Sequence, residues 1–587
     1  AFETGLGRAF ARKSWTMSEL AHSMAKHLDE MGIRPKTPPG GFDGAVLCRS
    51  VSKERWCVTK KDLKHLRKAL RKAIGLSLIT PTERDPFDPD DDFVGPNVYT
   101  VNDQFIKPVT AVFGNVSWAL MFHPEGLKCD LFITHAWMEG MFEFIAKVLN
   151  AWPRHCHHAY CCMLSNPQNL DISDLIASPA DSPFAKALHS ADTMIVVPNC
   201  TCSIYSRLWC VYEAFLAVDQ GKLIETATTY SRARVLQSVI TISILTLLGV
   251  VLGFLCACLL DGDPPEAVKG FFSLLVGVPL LLSMVLGENS ANLACNCLGA
   301  VACSFWSYYC GSLSVEIVVF SLIFYAYFIL SEMDRICRLQ VHASSSELAE
   351  GFTGSVRDAE CSSPADRDAI SLAIGDKMAE VDFAIEVLRL SGMSTPTLRE
   401  ASLAGVRVPD AGLQEFATIA IKHPSTFCFA LSLVGFHNWL LICLGLAMVA
   451  LEITWTAQLI FYQRDRRALH LKMAHRMFVF GLPLLIAFRL TIGVPWFPLT
   501  SVPLALGTGL MICASQLLAT LLSALGINRI RRLPCGRFLV YLFVARGFCK
   551  VQSWASPCCC KDADFGSDGE GSDLISNSEE AAAEGML

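Results

Sequence analysis

The stretch "CDLFIT", Cys129 to Thr134, opens the part of the chain whose pattern decides the fold. It is a short unbroken apolar run, the kind that makes a strand buried on both faces. Beyond it, "MFEFIAKVL" (141–149) has helical spacing and "HAYCCML" (158–164) reads again as a strand. Then come a helix in "SPFAKALHSA" (182–191), a strand in "DTMIVV" (192–197), a helix in "YSRLWCVYEAFLAV" (205–218) and a last strand in "LIETATT" (223–229). Strands alternating with helices imply a parallel sheet covered by helices on both faces. Ligands of such sheets sit at the carboxyl ends of the strands, where "THAW" (134–137) and "PNCTCSIYS" (198–206) would lie.

This α/β region is embedded in an apolar chain. Of 587 residues, 52% are hydrophobic and 18% charged, and the mean hydropathy is +0.40. That composition points to a membrane protein. A net charge of −6 is slight for this length and suggests no nucleic-acid partner. The 25 cysteines lack the compact spacing of a disulfide framework and are read as reduced thiols. No apolar run occupies the first thirty residues, so the chain is expected to insert through an internal span and to be a piece of a longer one.

Val235 to Leu260 is apolar enough to span a bilayer, and further spans are expected at about 270–287, 292–310 and 313–331. Arg232 and Arg234 precede the first, the 261–269 loop is acidic, and Arg335 and Arg338 follow the fourth, which places the α/β region in the cytosol. Residues 332–424 return to soluble composition as a cytosolic insert. One helix is expected there, with Ser363 as N-cap, Pro364 at its first position, an apolar stripe from Ile370 to Leu388 and Gly392 as its stop. In the second membrane part, 426–526, Phe427 to Tyr462 is read as a hairpin turning near "HNW" (437–439), with spans at about 477–494 and 500–526 after it. The total is about eight spans, with six or seven as alternatives, and both termini in the cytosol.

Residues 1–97 form a polar region in which "KKDLKHLRKALRKAIGLSL" (60–78) is a basic amphipathic helix, either packed on the domain or lying on anionic lipid. The acidic "DPFDPDDDF" (85–93) is not a calcium loop: counted from Asp88, Phe93 stands where glycine is needed and Tyr99 where glutamate is needed. In the 527–587 tail, a short apolar segment flanked by bases precedes Cys558, Cys559 and Cys560, a pattern for S-palmitoylation rather than metal. The tail ends in an acidic stretch of disordered composition.

On the helix at 205–218, Trp209 and Glu213 stand four apart and share a face. An aromatic platform beside a carboxylate suits a planar nitrogen ring and ribose hydroxyls; a packed aromatic and a capping carboxylate are the plain alternative. "CDLFITHAW" resembles the first strand and following loop of Toll/interleukin-1 receptor (TIR) domains, and "YSRLWCVYEAF" is similar to their Ser-x-Trp-Cys-x-x-Glu helix. "AYCCMLSNPQNL" with "RLWCVYE" also resembles heterokaryon-incompatibility domains, although Pro167 interrupts the Asn-Gln pair. The combination looks like the TIR-like domains of protist, especially dinoflagellate, multi-pass membrane proteins, over about 98–230 of this chain. The resemblance implies a flavodoxin-like fold and, in members that cleave NAD, Glu213 as the catalytic residue. Trp209 would then stack on nicotinamide, with Thr134, His135 and Ser206 on the substrate side. His135 would face the diphosphate or the nucleophile, or be a plain loop histidine, and Thr134-His135 replaces the commoner Ser-Tyr pair. NAD enters as a substrate; no cofactor is expected. The implied partners are other TIR-like domains or a second copy, besides membrane lipid.

The cluster "RHCHHAYCC" (154–162) is set aside as a metal site, because strand alternation sends its histidines to opposite faces. Within the apolar segments Glu316, Glu452 and Arg489 are ionisable, which raises a channel or transporter as the rival reading; pairing or snorkelling would explain them more simply.

Overall fold

The computed structural model describes residues 17–37, 43–228, 232–260, 289–309, 315–349, 355–403 except 362, 438–461 and 502–534, with isolated residues between them. Arg489, Cys558, Cys559, Cys560 and the spans expected at 270–287 and 477–494 lie outside these residues. Glu316 lies in a described helix, outside the residues whose side chains are described.

Six strands form one sheet: β1 (Val58–Thr59), β2 (Leu131–Thr134), β3 (His158–Cys161), β4 (Thr193–Val196), β5 (Leu223–Thr226) and β6 (Met393–Ser394), in the order β1-β3-β2-β4-β5-β6. The four inner strands β3-β2-β4-β5 are parallel; β1 and β6 are short antiparallel edges. Counted by the parallel strands alone, the order is 2-1-3-4, the flavodoxin-like winding, whose order reverses at β2. Every residue of β2 and β4 is buried, as their apolar runs require.

The helices of eight or more residues are α1 (Met17–Glu30), α2 (Lys60–Gly75), α3 (Met141–Ala151), α4 (Pro183–Ser190), α5 (Leu208–Asp219), α6 (Arg232–Leu259), α7 (Asn289–Tyr309), α8 (Val315–Ala349), α9 (Pro364–Ile374), α10 (Met378–Ser391), α11 (Pro396–Leu403), α12 (Trp439–Phe461) and α13 (Val502–Arg531) among the described residues. The basic helix α2 is a packed helix. Thr59 and Asp62 form its capping box, Leu63, Leu66, Leu70 and Ile74 are buried, and Arg67 and Arg71 lie over the Phe142 ring. The acidic loop beside it closes on its own backbone, with Asp91 accepting from the amides of Phe93, Val94 and Gly95.

The expected boundary at 97/98 is crossed by one hydrophobic core, which runs from Met24 in α1 to Ala227 and takes in Leu348 of α8 and the insert as far as Leu388 in α10. The N-terminal region supplies β1 and the insert supplies β6, so both complete the sheet. Helix α8 also passes without a break from its apolar half through 331 to Ala349. The insert's single expected helix is two, α9 and α10, separated at Gly375 with φ +59° and ψ −128°, a conformation that essentially only glycine adopts. Its ends are as read from sequence: the Ser363 side chain caps Asp366 N, and Gly392 closes α10 in the left-handed conformation.

Three helices are long and apolar enough to cross a membrane among the described residues: Ala233–Leu259, Trp439–Phe461 and Ala505–Leu522. They support fewer crossings than the eight expected. In the described part of α8, Glu332, Asp334, Arg335 and Arg338 crowd the apolar run, which explains why it does not qualify. α6 packs on α7 through Gly249 and Gly253, where an added Cβ would meet the carbonyls of Val301 and Phe305 at 2.5 Å. That is the close approach small residues allow in apolar helix pairs. Asn296 on α7 donates to Glu332 on α8 (2.7 Å), so the second interface is partly polar. α12 starts at Trp439, with the Asn438 side chain accepting from Leu440 N.

Candidate functional site

The carboxyl ends of β2, β3 and β4 gather most of the α/β region's buried ionisable groups. Parallel register sets Ile133 against Cys161 and Thr134 against Val196, so the loops leaving these strands emerge side by side. Beyond β3 the chain does not continue as the expected strand. It turns into a short helix at Cys162–Ser165, and Ser165 Oγ accepts from Cys161 N to close the turn. This turn brings Cys162 Sγ to 3.1 Å from His135 Nε2. On its other side His135 Nδ1 lies 2.9 Å from Glu139 Oε1, and both side chains are 1% exposed.

Glu213 comes from α5, one turn beyond Trp209, and is 5% exposed. Burial pushes its pKa up to about 7, against the opposing pull of the Thr134 hydroxyl, His135 and Arg207. Glu139 is likewise pushed up to about 7 by burial, with His135 pulling the other way. Burial disfavours charge on His135, but the Cys162 and Cys161 sulfurs outweigh it and hold the ring's pKa well above its ordinary value. Thr134, His135 and Glu213 are thus neighbours.

Trp209 is not part of this group. Its indole nitrogen donates to Asp366 of the insert (3.2 Å), and its ring lies against Phe184 and Tyr212. Ser206 is occupied by structure: its hydroxyl donates to Ser203 O (2.7 Å) and its carbonyl accepts from Glu360 N (2.7 Å). The insert therefore covers the front of α5, where Leu208 N also donates to Glu360 O. Behind the site Lys147, wholly buried, joins Glu143 (2.7 Å), Glu347 of α8 (2.6 Å) and Pro198 O (2.7 Å).

Cys162 and Glu139 are the residues sequence reasoning missed. The signal was faint: a paired cysteine just past an apolar strand and a glutamate four residues after a strand-end histidine. No group of three or more His, Cys, Asp or Glu among the described residues has a metal-holding arrangement.

A second polar cluster lies in the apolar part. Glu452 on α12 pairs with Lys422 (3.2 Å) and His423 (2.5 Å), and accepts from Gln516 of α13 (2.7 Å). Lys422 sits 3.7 Å over the Trp455 ring. Beside it is a cavity of about 440 Å³ lined by Thr426, Val449, Glu452, Thr456 and Ile460, among others. Glu452 is thus a paired group, as the plain reading expected, in a cluster that also borders an open volume. Comparison with known protein families, curated proteins and solved structures gives no match.

Proposed function

We propose that the chain is a multi-pass membrane protein that presents a TIR-like domain on the cytosolic side for signalling by self-association. The observation that carries this reading is the placement of Glu213: at the carboxyl ends of a sheet wound in the flavodoxin-like order, yet buried, with its companion Trp209 held by Asp366. A carboxylate in this setting is where a TIR-like NAD site would be; a closed one favours assembly over standing turnover. Arg232 and Arg234 in the first turn of α6 and Arg335 and Arg338 in α8 support the cytosolic orientation. The finer topology, about eight spans with a palmitoylated tail at Cys558, Cys559 and Cys560, belongs to the same proposal. Membrane attachment favours assembly by raising local concentration.

The full chain in liposomes at low and high density, followed by energy transfer between labelled copies and by chromatography for nicotinamide released from NAD, tests it. Density-dependent transfer without nicotinamide is the expected result. Nicotinamide released by the wild type and lost in Glu213→Ala would replace the scaffold by an NAD hydrolase.

The Glu452 cluster and its cavity favour a second reading, a channel or transporter with a regulatory TIR-like domain. Ion or solute flux in the same liposomes, abolished by Glu452→Gln with the α/β domain intact, would establish it.

A further inference from the structure

Three side chains at the carboxyl edge of the sheet form a relay that neither reading above uses. Cys162 Sγ faces His135 Nε2 at 3.1 Å, and His135 Nδ1 faces Glu139 Oε1 at 2.9 Å. A thiol and an imidazole to take its proton, with a carboxylate close to the ring's other nitrogen, make up the arrangement that activates a cysteine nucleophile; Nδ1 is itself aligned on Ala136 O at 3.4 Å. The relay is rigidly held. His135 packs on Phe144 with ring centroids 5.1 Å apart, Glu139 is fully buried, and Cys162 is the partly exposed member. Arg207, just before α5, shares the thiol's surroundings: burial disfavours its charge, while Cys210, Tyr99 and Cys162 favour it.

We propose that Cys162 is a nucleophilic cysteine, deprotonated by His135 as it reacts, that exchanges with anionic low-molecular-weight disulfides of the glutathione-disulfide type. The Cys162 proton passes to His135 Nε2. The thiolate then attacks one sulfur of the disulfide, a new S–S bond forms as the old one breaks, and the leaving thiolate takes the proton from His135. Cys162 is oxidised to a mixed disulfide and half of the reagent is reduced to a thiol, so electrons and protons balance. Exchange needs only an in-line approach to an accessible sulfur, and the Arg207 guanidinium supplies a counter-charge for the reagent's carboxylates. The ionisable groups facing the pair are Glu139 from the loop after β2, Tyr160 and Cys161 from β3, and Glu213, Cys210 and Arg207 from α5 and the turn before it.

The test uses the full chain in detergent micelles with glutathione disulfide at pH 6, mapping adducts by mass spectrometry. Cys200 is the internal control: it is exposed in the same domain, and burial and Glu143 push its thiol up. Cys162 is expected to form its adduct at least about tenfold faster than Cys200 at pH 6. Cationic cystamine should react more slowly than glutathione disulfide at Cys162, and Glu139→Gln should lower the pH 6 rate several-fold. If Cys162 reacts no faster than Cys200 at pH 6, or reacts with cystamine as fast as with glutathione disulfide, the proposal fails. Because the wild-type comparison of the two cysteines decides by itself, a misfolded variant does not protect it.

Discussion

The buried Glu213 carboxyl makes the stability of the α/β domain depend on pH in a definite direction. An unfolded glutamate titrates near 4.3, and burial raises Glu213 to about 7. A group whose folded pKa is raised contributes stability that is fully present below the unfolded value and lost as pH rises through the folded one. The difference is worth roughly 4 kcal/mol, withdrawn as pH rises from about 4 to 7. For a domain of this size that corresponds to roughly ten degrees in Tm. Glu139, also raised to about 7, acts in the same sense over the same window; His135, held well above its ordinary value, acts in the same sense but only as pH rises past about 6.5. His65, whose charge burial disfavours, acts in the opposite sense. Glu213→Gln isolates the one carboxyl, since the amide keeps the shape and removes the titration. Near-ultraviolet circular dichroism of the full chain in detergent, heated at pH 5, 6, 7 and 8, should show the wild type losing Tm across the series and the variant losing markedly less. Parallel curves for wild type and variant would mean that Glu213 ionises as it would in water, and the burial argument would be wrong.

Asp366→Ala should remove the charged acceptor of the Trp209 indole and lower stability by about 1.5–3 kcal/mol, with a red shift of tryptophan emission, both read in a thermal scan. At Gly375 an added Cβ would meet nothing within 4 Å, so Gly375→Ala should cost about 1–3 kcal/mol through the backbone alone, and Gly375→Asn should recover little of it. Lys147→Met should strand Glu143 and Glu347 and cost about 3–5 kcal/mol; in a double-mutant cycle with Glu347→Gln the two changes should be non-additive by at least about 1 kcal/mol, and additivity would show that the α8 contact is incidental.

The parallel core was legible because each inner strand is a short apolar run that needs no partner to be recognised. The edges were not. Val58–Thr59 and Met393–Ser394 are two residues each, and their pairing with Ala159 and Ile224 joins segments far apart in sequence, where no local period exists. For the same reason the N-terminal region and the insert read as separate domains although their side chains enter one core. The α6 interface had a local signal in Gly249 and Gly253, four apart in an apolar helix, that hydropathy alone does not register.

At the candidate site, composition and period located Glu213 but not its company. Helical spacing puts Trp209 and Glu213 on one side of α5, yet 40° of helical rotation suffices to send one ring to Phe184 and Asp366 and the other side chain to Thr134. What decides this is the insert, some 150 residues downstream, whose Asp366 supplies the indole's acceptor. Cys162 was hidden by the opposite error, a strand read one turn too long: continued as β, its side chain would alternate away, and only the helical turn closed by Ser165 carries it to His135. A sequence period reports which face a residue shares with its neighbours in the chain; the chemistry here depends on which residues from β2, β3, α5 and the insert arrive at that face, and that is set by register and turn geometry.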